Sequence, residues 1–125
     1  MKYSENKRFS LVARLRSFNH AFRGLGIIFK TQHNSRVQAF IAFFVVILGF
    51  CYKISSLEWI ALVLASASVL AAEAFNTAIE VDMDLTSPEY HPFARDTKDV
   101  AAGAVLITVA GAIIVGLIIF LPKIL

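Results

Sequence analysis

The sequence contains few residues that could form disulfide cross-links or interrupt long apolar runs. Its single cysteine, Cys51, has no partner for a disulfide within the chain, which excludes a disulfide-stapled fold. We interpret Cys51 as a small apolar side chain. Charged residues are absent from residues 37–52 and from residues 100–121. Such long uncharged runs predict membrane-spanning helices rather than a soluble domain.

Apolar side chains are abundant instead. Hydrophobic residues make up 58% of the 125 positions, against roughly 45–50% in soluble domains. The formal net charge is +3, and in so apolar a chain we assign it to contact with anionic lipid headgroups rather than nucleic acid. The sequence therefore predicts an integral membrane protein of one domain, residues 1–125.

Residues 8–30 predict an amphipathic helix. Apolar side chains recur at steps of three and four from Leu11 to Phe29, and basic side chains fall between them. An apolar face beside a basic face suits a helix that lies in the membrane interface. We therefore expect a surface helix at the start of the chain.

Three later segments are apolar enough to cross the bilayer, at about residues 36–54, 57–84 and 98–121. Small side chains in the second and third segments allow neighbouring helices to approach closely. Pro122 predicts the end of the last one. The expected fold class is all-α, with one surface helix and three transmembrane helices.

The distribution of basic residues predicts the orientation. Eight of the twelve lysines and arginines lie in the first 36 residues, and two more lie between the second and third spans. Because cytoplasmic segments are enriched in lysine and arginine, we expect the N-terminus and residues 85–99 on the cytoplasmic side.

The second span carries an unusual polar stripe. Glu73, Asn76, Glu80 and Asp84 are spaced by three, four and four residues, so they share one helix face. Charge within a membrane helix is costly, so such groups usually pair, bind metal or perform chemistry. Carboxylates can act as a base or hold a hard cation. The stripe alone fits an enzyme and an ion or proton pathway equally well.

The loop after the stripe offers contacts for phosphate. The sequence has no Gly-x-x-x-x-Gly-Lys-Ser/Thr motif and no glycine-rich kinase loop. Lys98 and the helix-opening amides around Asp99 can instead meet phosphate oxygens. Phosphoryl transfer needs mainly positioning and neutralisation of phosphate charge, and these groups together can supply both.

Two stretches of the chain match a known pattern. They read Glu73-Ala-Phe-Asn76-Thr77-Ala-Ile-Glu80-x-x-x-Asp84 and then Glu89-Tyr90-His91 with Lys98-Asp99. Together they resemble the signature of the small prokaryotic diacylglycerol kinases, a family that includes undecaprenol kinases. The likeness covers almost the whole chain. It implies a homotrimer in the bacterial inner membrane that uses ATP and Mg²⁺ at the cytoplasmic interface.

The resemblance implies a role for each matched residue. Glu73 would be the general base on the lipid hydroxyl, with Asn76 helping to position it. Glu80 would hold the divalent cation on ATP, and Asp84 would support the polar cluster. The nucleotide site would be lined by Glu89, Tyr90, His91, Lys98 and Asp99.

Gln32 departs from the family pattern. It stands where the family usually has a glutamate that joins the equivalent of Glu80 in binding the metal. A neutral carboxamide is a weaker ligand for a hard cation than a carboxylate, although its carbonyl oxygen can still coordinate. We therefore expect Glu80 and Gln32 to be the metal ligands, with His33 as a substitute for Gln32.

The resemblance implies phosphorylation of a membrane lipid alcohol. Residues 87–93 and 98–104 look most like the undecaprenol kinase branch, so the expected reaction converts undecaprenol to undecaprenyl phosphate. The first alternative is the conversion of diacylglycerol to phosphatidic acid. An alternative of another class is a non-catalytic membrane scaffold or a small transporter.

Overall fold

The computed structural model describes residues 8–125, which form four helices. These are α1 (Leu11–Thr31), α2 (His33–Cys51), α3 (Ser56–Thr86) and α4 (Pro92–Ile124). This part of the chain contains no β-strand, and α2, α3 and α4 are each long and apolar enough to cross a membrane. The prediction of an all-α membrane protein with three spans is confirmed. Residues 1–7 of the predicted domain lie outside the described residues.

Local hydrogen bonds set the starts of the two long helices. At α3, Ser55 and Glu58 form a capping box, in which each side chain bonds the other's backbone N–H. At α4, the His91 Nδ1 accepts a hydrogen bond of 3.1 Å from the Phe93 N–H. Pro92 follows in the first turn, where its missing N–H would have had no partner within the helix.

Two other helix ends are less regular. Only Gln32 separates α1 from α2, and its extended backbone (φ −107°, ψ 109°) turns the chain between them. Pro122 does not end α4, which continues to Ile124. The proline lacks one N–H within the last turn, but the Leu125 N–H still bonds the Leu121 carbonyl beyond it.

Helices α3 and α4 form an antiparallel pair, with one ion pair between them at each end. At one end Lys123 Nζ lies 2.7 Å from Glu58 Oε2, and at the other Lys98 Nζ lies 2.5 Å from Asp84 Oδ1. Helix α2 approaches α3 less extensively. The polar stripe of α3 therefore belongs to the Asp84 end of the pair.

The buried core lies toward the opposite, Glu58 end. Its buried members are Ile54, Leu62, Ile119 and Phe120. Gly49 of α2 lets the helices meet there, since a Cβ atom at this position would stand 2.6 Å from Trp59 Cη2. Elsewhere most apolar side chains face outward, and only 11% to 17% of each span is buried within the chain. These outer faces are available to lipid or to further helices.

Candidate active site

A polar pocket of about 380 Å³ opens between α2, α3 and α4. Glu73, Asn76 and Glu80 of the stripe line it together, so their shared helix face gives a shared site. Helix α2 contributes Asn34 and Gln38 to the same pocket. The part that α4 contributes is apolar, consisting of Ala102, Val105, Leu106 and Val109.

Glu73 is the most buried acid of the pocket, with 4% of its surface exposed. Its Oε1 accepts a hydrogen bond of 2.9 Å from Gln38 Nε2. One turn further on, the buried Thr77 hydroxyl donates a hydrogen bond of 2.9 Å to the Glu73 backbone carbonyl. This bond does not involve the Glu73 carboxylate. A buried carboxylate needs a hydrogen-bond donor such as Gln38, because an unpaired charge away from water is very costly.

Asn76 and Glu80 form a second pair in the pocket. Asn76 Nδ2 donates to Glu80 Oε1 at 3.2 Å, as the spacing of four residues on one helix allows. The other end of the amide, Asn76 Oδ1, is buried and has no partner among the described residues. Asn76 thus contacts the carboxylate predicted to hold metal rather than Glu73, and it keeps one oxygen free for a ligand.

The residues predicted to bind the nucleotide lie outside this pocket. Lys98 pairs with Asp84 at the end of α3. Glu89, Tyr90 and His91 are exposed in the short connection before α4, and Asp99 is exposed in its third turn. The expectation of helix-opening amides around Asp99 is wrong, because α4 already begins at Pro92 and the amides near Asp99 lie inside the helix. The structure therefore separates a partly buried carboxylate pocket from a set of solvent-facing side chains.

Gln32 does not line the pocket. Its half-buried side chain lies at the junction of α1 and α2, where Nε2 donates to Thr31 Oγ1 at 3.4 Å. Among residues 8–125, no three histidine, cysteine, aspartate or glutamate side chains cluster closely enough to hold a metal ion by themselves. Mg²⁺, however, is commonly held by one or two carboxylates together with substrate phosphates and water. Glu80, beside the free Asn76 oxygen, fits that requirement.

An apolar cleft of about 410 Å³ adjoins the polar pocket. It extends between the same three helices toward Phe120 and is walled mainly by aliphatic side chains. Gln38 and Val109 line both spaces. A molecule with a hydrocarbon tail and a polar head would find both environments side by side.

Sequence reasoning missed Asn34 and Gln38. Gln38 was grouped with the uncharged run of the first span, although it is the one carboxamide in that run. A lone polar side chain in a membrane helix is a recognised sign of function. That signal could have singled out Gln38 but not its partner, which lies 35 residues away in sequence.

The fold and the pocket define a small membrane protein with three spans and a buried carboxylate site. The model of the family described as prokaryotic diacylglycerol kinase matches residues 19–120. An undecaprenol kinase of Bacillus subtilis is 39% identical over 120 residues, which cover 96% of this chain and 98% of that protein. A diacylglycerol kinase of Synechocystis sp. is 38% identical over 110 residues, or 87% of this chain and 63% of that protein. A diacylglycerol kinase of Helicobacter pylori is 32% identical over 84 residues, or 67% and 66% of the two chains.

The chain belongs to the prokaryotic diacylglycerol kinase family. It is an enzyme, a lipid kinase of the membrane. The resemblance stated from the motifs is thereby confirmed, and the alternative of a non-catalytic scaffold or transporter is set aside.

Proposed function

We propose that this lipid kinase transfers the γ-phosphoryl group of ATP to the hydroxyl of undecaprenol at the cytoplasmic interface. The structural observation that carries the chemistry is the buried Glu73 carboxylate, in a polar pocket that shares two lining residues with an apolar cleft. The choice of undecaprenol is supported by the Bacillus relative, whose match covers 98% of its length. The match to the Synechocystis diacylglycerol kinase covers 63% of that protein.

The two connected spaces fit a lipid alcohol. The aliphatic cleft suits a hydrocarbon chain, because burying such a chain removes apolar surface from polar surroundings. In this arrangement the hydroxyl lies near Gln38, where the cleft meets the pocket, and within reach of Glu73.

In the proposed reaction Glu73 accepts the proton of the lipid hydroxyl. The hydroxyl oxygen forms a bond to the γ-phosphorus while the bond from that phosphorus to the β–γ bridging oxygen breaks, and ADP leaves. Glu73 suits this task because its carboxylate is fixed by Gln38 and belongs to a rigid, continuous helix. Asn76 would position the neighbouring Glu80, to which its Nδ2 donates a hydrogen bond of 3.2 Å.

Glu80 would hold Mg²⁺, with the Asn76 carbonyl oxygen as a further candidate ligand. When bound, the cation neutralises charge on the phosphates of ATP. Gln32 remains a predicted second ligand, although its side chain lies outside the pocket and bonds Thr31.

The exposed residues before and at the start of α4 would bind ATP. Lys98 is the group best suited to phosphate, since its ammonium can exchange the Asp84 carboxylate for a phosphate oxygen. The predicted companions are Glu89, Tyr90, His91 and Asp99. We further propose an inner-membrane location with a cytoplasmic N-terminus, and a homotrimer in which other copies cover part of the exposed apolar faces.

Diacylglycerol is the second candidate substrate, because two of the relatives named above are diacylglycerol kinases. The two candidates separate in one assay. Purified protein in mixed micelles is given Mg²⁺, labelled ATP and either undecaprenol or diacylglycerol at equal mole fraction. Faster labelling of undecaprenol supports the proposal, and a preference for diacylglycerol would replace it. Labelling of neither lipid by folded protein would refute both.

A further inference from the structure

One side-chain hydrogen bond links α2 to α3 at the pocket. Gln38 of α2 donates its side-chain Nε2–H to Glu73 Oε1 of α3 at 2.9 Å. Within residues 8–125 this is the only side-chain hydrogen bond that links α2 to another helix. The position of the Glu73 carboxylate relative to α2 therefore depends on one amide.

The chemistry of the two groups fixes the direction of this bond. An ionised carboxylate only accepts hydrogen bonds, so the NH₂ end of the Gln38 amide must face Glu73. The other end, Gln38 Oε1, is then turned away, and it is buried without a partner in the described chain. Unpaired buried polar atoms destabilise a fold, so the carbonyl end of Gln38 adds no stability within the described chain. Gln38 satisfies only the end that holds Glu73.

The location of Gln38 is equally specific. It lines the polar pocket and also the apolar cleft, together with Val109. No described residue donates a hydrogen bond to the second Glu73 oxygen, Oε2. With Oε1 held by Gln38, the carboxylate has one committed oxygen and one oxygen available to a substrate.

We propose that Gln38 is a positioning residue for the transfer reaction. Its amide N–H holds Glu73 Oε1, so that Oε2 receives the proton of the lipid hydroxyl at the junction of cleft and pocket. This inference rests on the proposed function, in which Glu73 is the base. It assigns Gln38 a role in the rate of transfer and none in binding ATP.

The test compares variants of the full chain in mixed micelles. Gln38→Met keeps the length of the side chain but removes the donor, so kcat should fall roughly 10- to 100-fold, as expected for loss of a hydrogen bond to a charged group. KM for ATP should stay unchanged, because the nucleotide-side residues lie elsewhere. Gln38→His restores an N–H donor and should bring kcat back to within about fivefold of the parent. Ser68→Ala is the matched control, since the exposed Ser68 hydroxyl bonds only the Leu64 carbonyl of its own helix.

The outcomes separate the two proposals. If the parent protein phosphorylates neither lipid, the proposed function itself fails. If the parent is active and Gln38→Met keeps kcat within about twofold, the positioning role is overturned. Equal losses in folded Gln38→Met and Gln38→His would also overturn it, because hydrogen-bond donation would not be the property that matters. If Gln38→Met does not fold, Gln38→Leu replaces it, since leucine also lacks a donor and adds no charge beside Glu73.

Discussion

Replacing Glu73 by glutamine tests the proposed base most directly. The carboxamide has the size and shape of the carboxylate, and its oxygen can still accept the hydrogen bond from Gln38. The negative charge and the ability to take a proton are removed. A positioned general base typically contributes a factor of about 10² to 10⁴, so kcat should fall by roughly that amount.

The effect of Glu73→Gln on folding should be small. Glu73 is 4% exposed, so the change weakens one charge-assisted hydrogen bond, by about 1 kcal/mol, while it also removes the cost of burying a charge. These contributions oppose each other. We therefore expect a folded variant that retains the parent's oligomeric state and is nearly inactive.

The assay measures label transfer to the lipid, with folding checked by thermal unfolding in detergent. Glu58→Gln is the matched control, because it removes a carboxylate from the other end of the same helix, where Glu58 pairs with Lys123. The control should keep full activity and lose little stability. If Glu73→Gln retained more than about a tenth of the parent's kcat, Glu73 could not be the base.

Two further predictions concern the metal and the core. Gln32→Glu adds an acidic ligand and should lower the Mg²⁺ concentration for half-maximal activity by about tenfold; an unchanged titration would mean that residue 32 is not a ligand. Gly49→Ala places a Cβ 2.6 Å from Trp59 Cη2. It should destabilise the fold by about 1–3 kcal/mol while activity per folded molecule is retained. Fluorescence of Trp59, the single tryptophan, reports this unfolding, and an unchanged midpoint would show that the indole moves aside freely.

Much of the architecture could be predicted because it follows from local patterns. Long uncharged runs give spans, and the spacing of Glu73, Asn76 and Glu80 gives one helix face and one pocket lining. The bond between Asn76 and Glu80 follows from the same spacing. The partner of Glu73 could not be predicted, since it depends on how α2 is rotated and shifted against α3. No local pattern encodes that register.

Pro122 also shows where prediction from local patterns ends, because α4 continues past the residue at which the sequence predicts that it stops. A proline in a helix interior usually interrupts it, and the sequence alone gave no reason to expect otherwise. Only Lys123 and Ile124 follow Pro122 in α4. Lys123 Nζ bonds both Glu58 and the Ile119 carbonyl. The bond to Ile119 is local to α4, whereas the ion pair with Glu58 is a tertiary contact that depends on the antiparallel pairing of α3 with α4.

The separation of the two parts of the site bears on how the proposed reaction can occur. Glu73 is buried at 4% exposure, whereas Tyr90, on the nucleotide side, is 75% exposed. In the proposed reaction the lipid hydroxyl would enter from the apolar side and ATP from water, so each would meet the part of the site that matches its own environment. Lys98 must leave Asp84 when it binds phosphate, but this exchanges one anion for another and costs little at a half-exposed side chain. The proposed transfer would occur along α3, which places Glu73 and Glu80 in the pocket and Asp84 beside Lys98 at its far end.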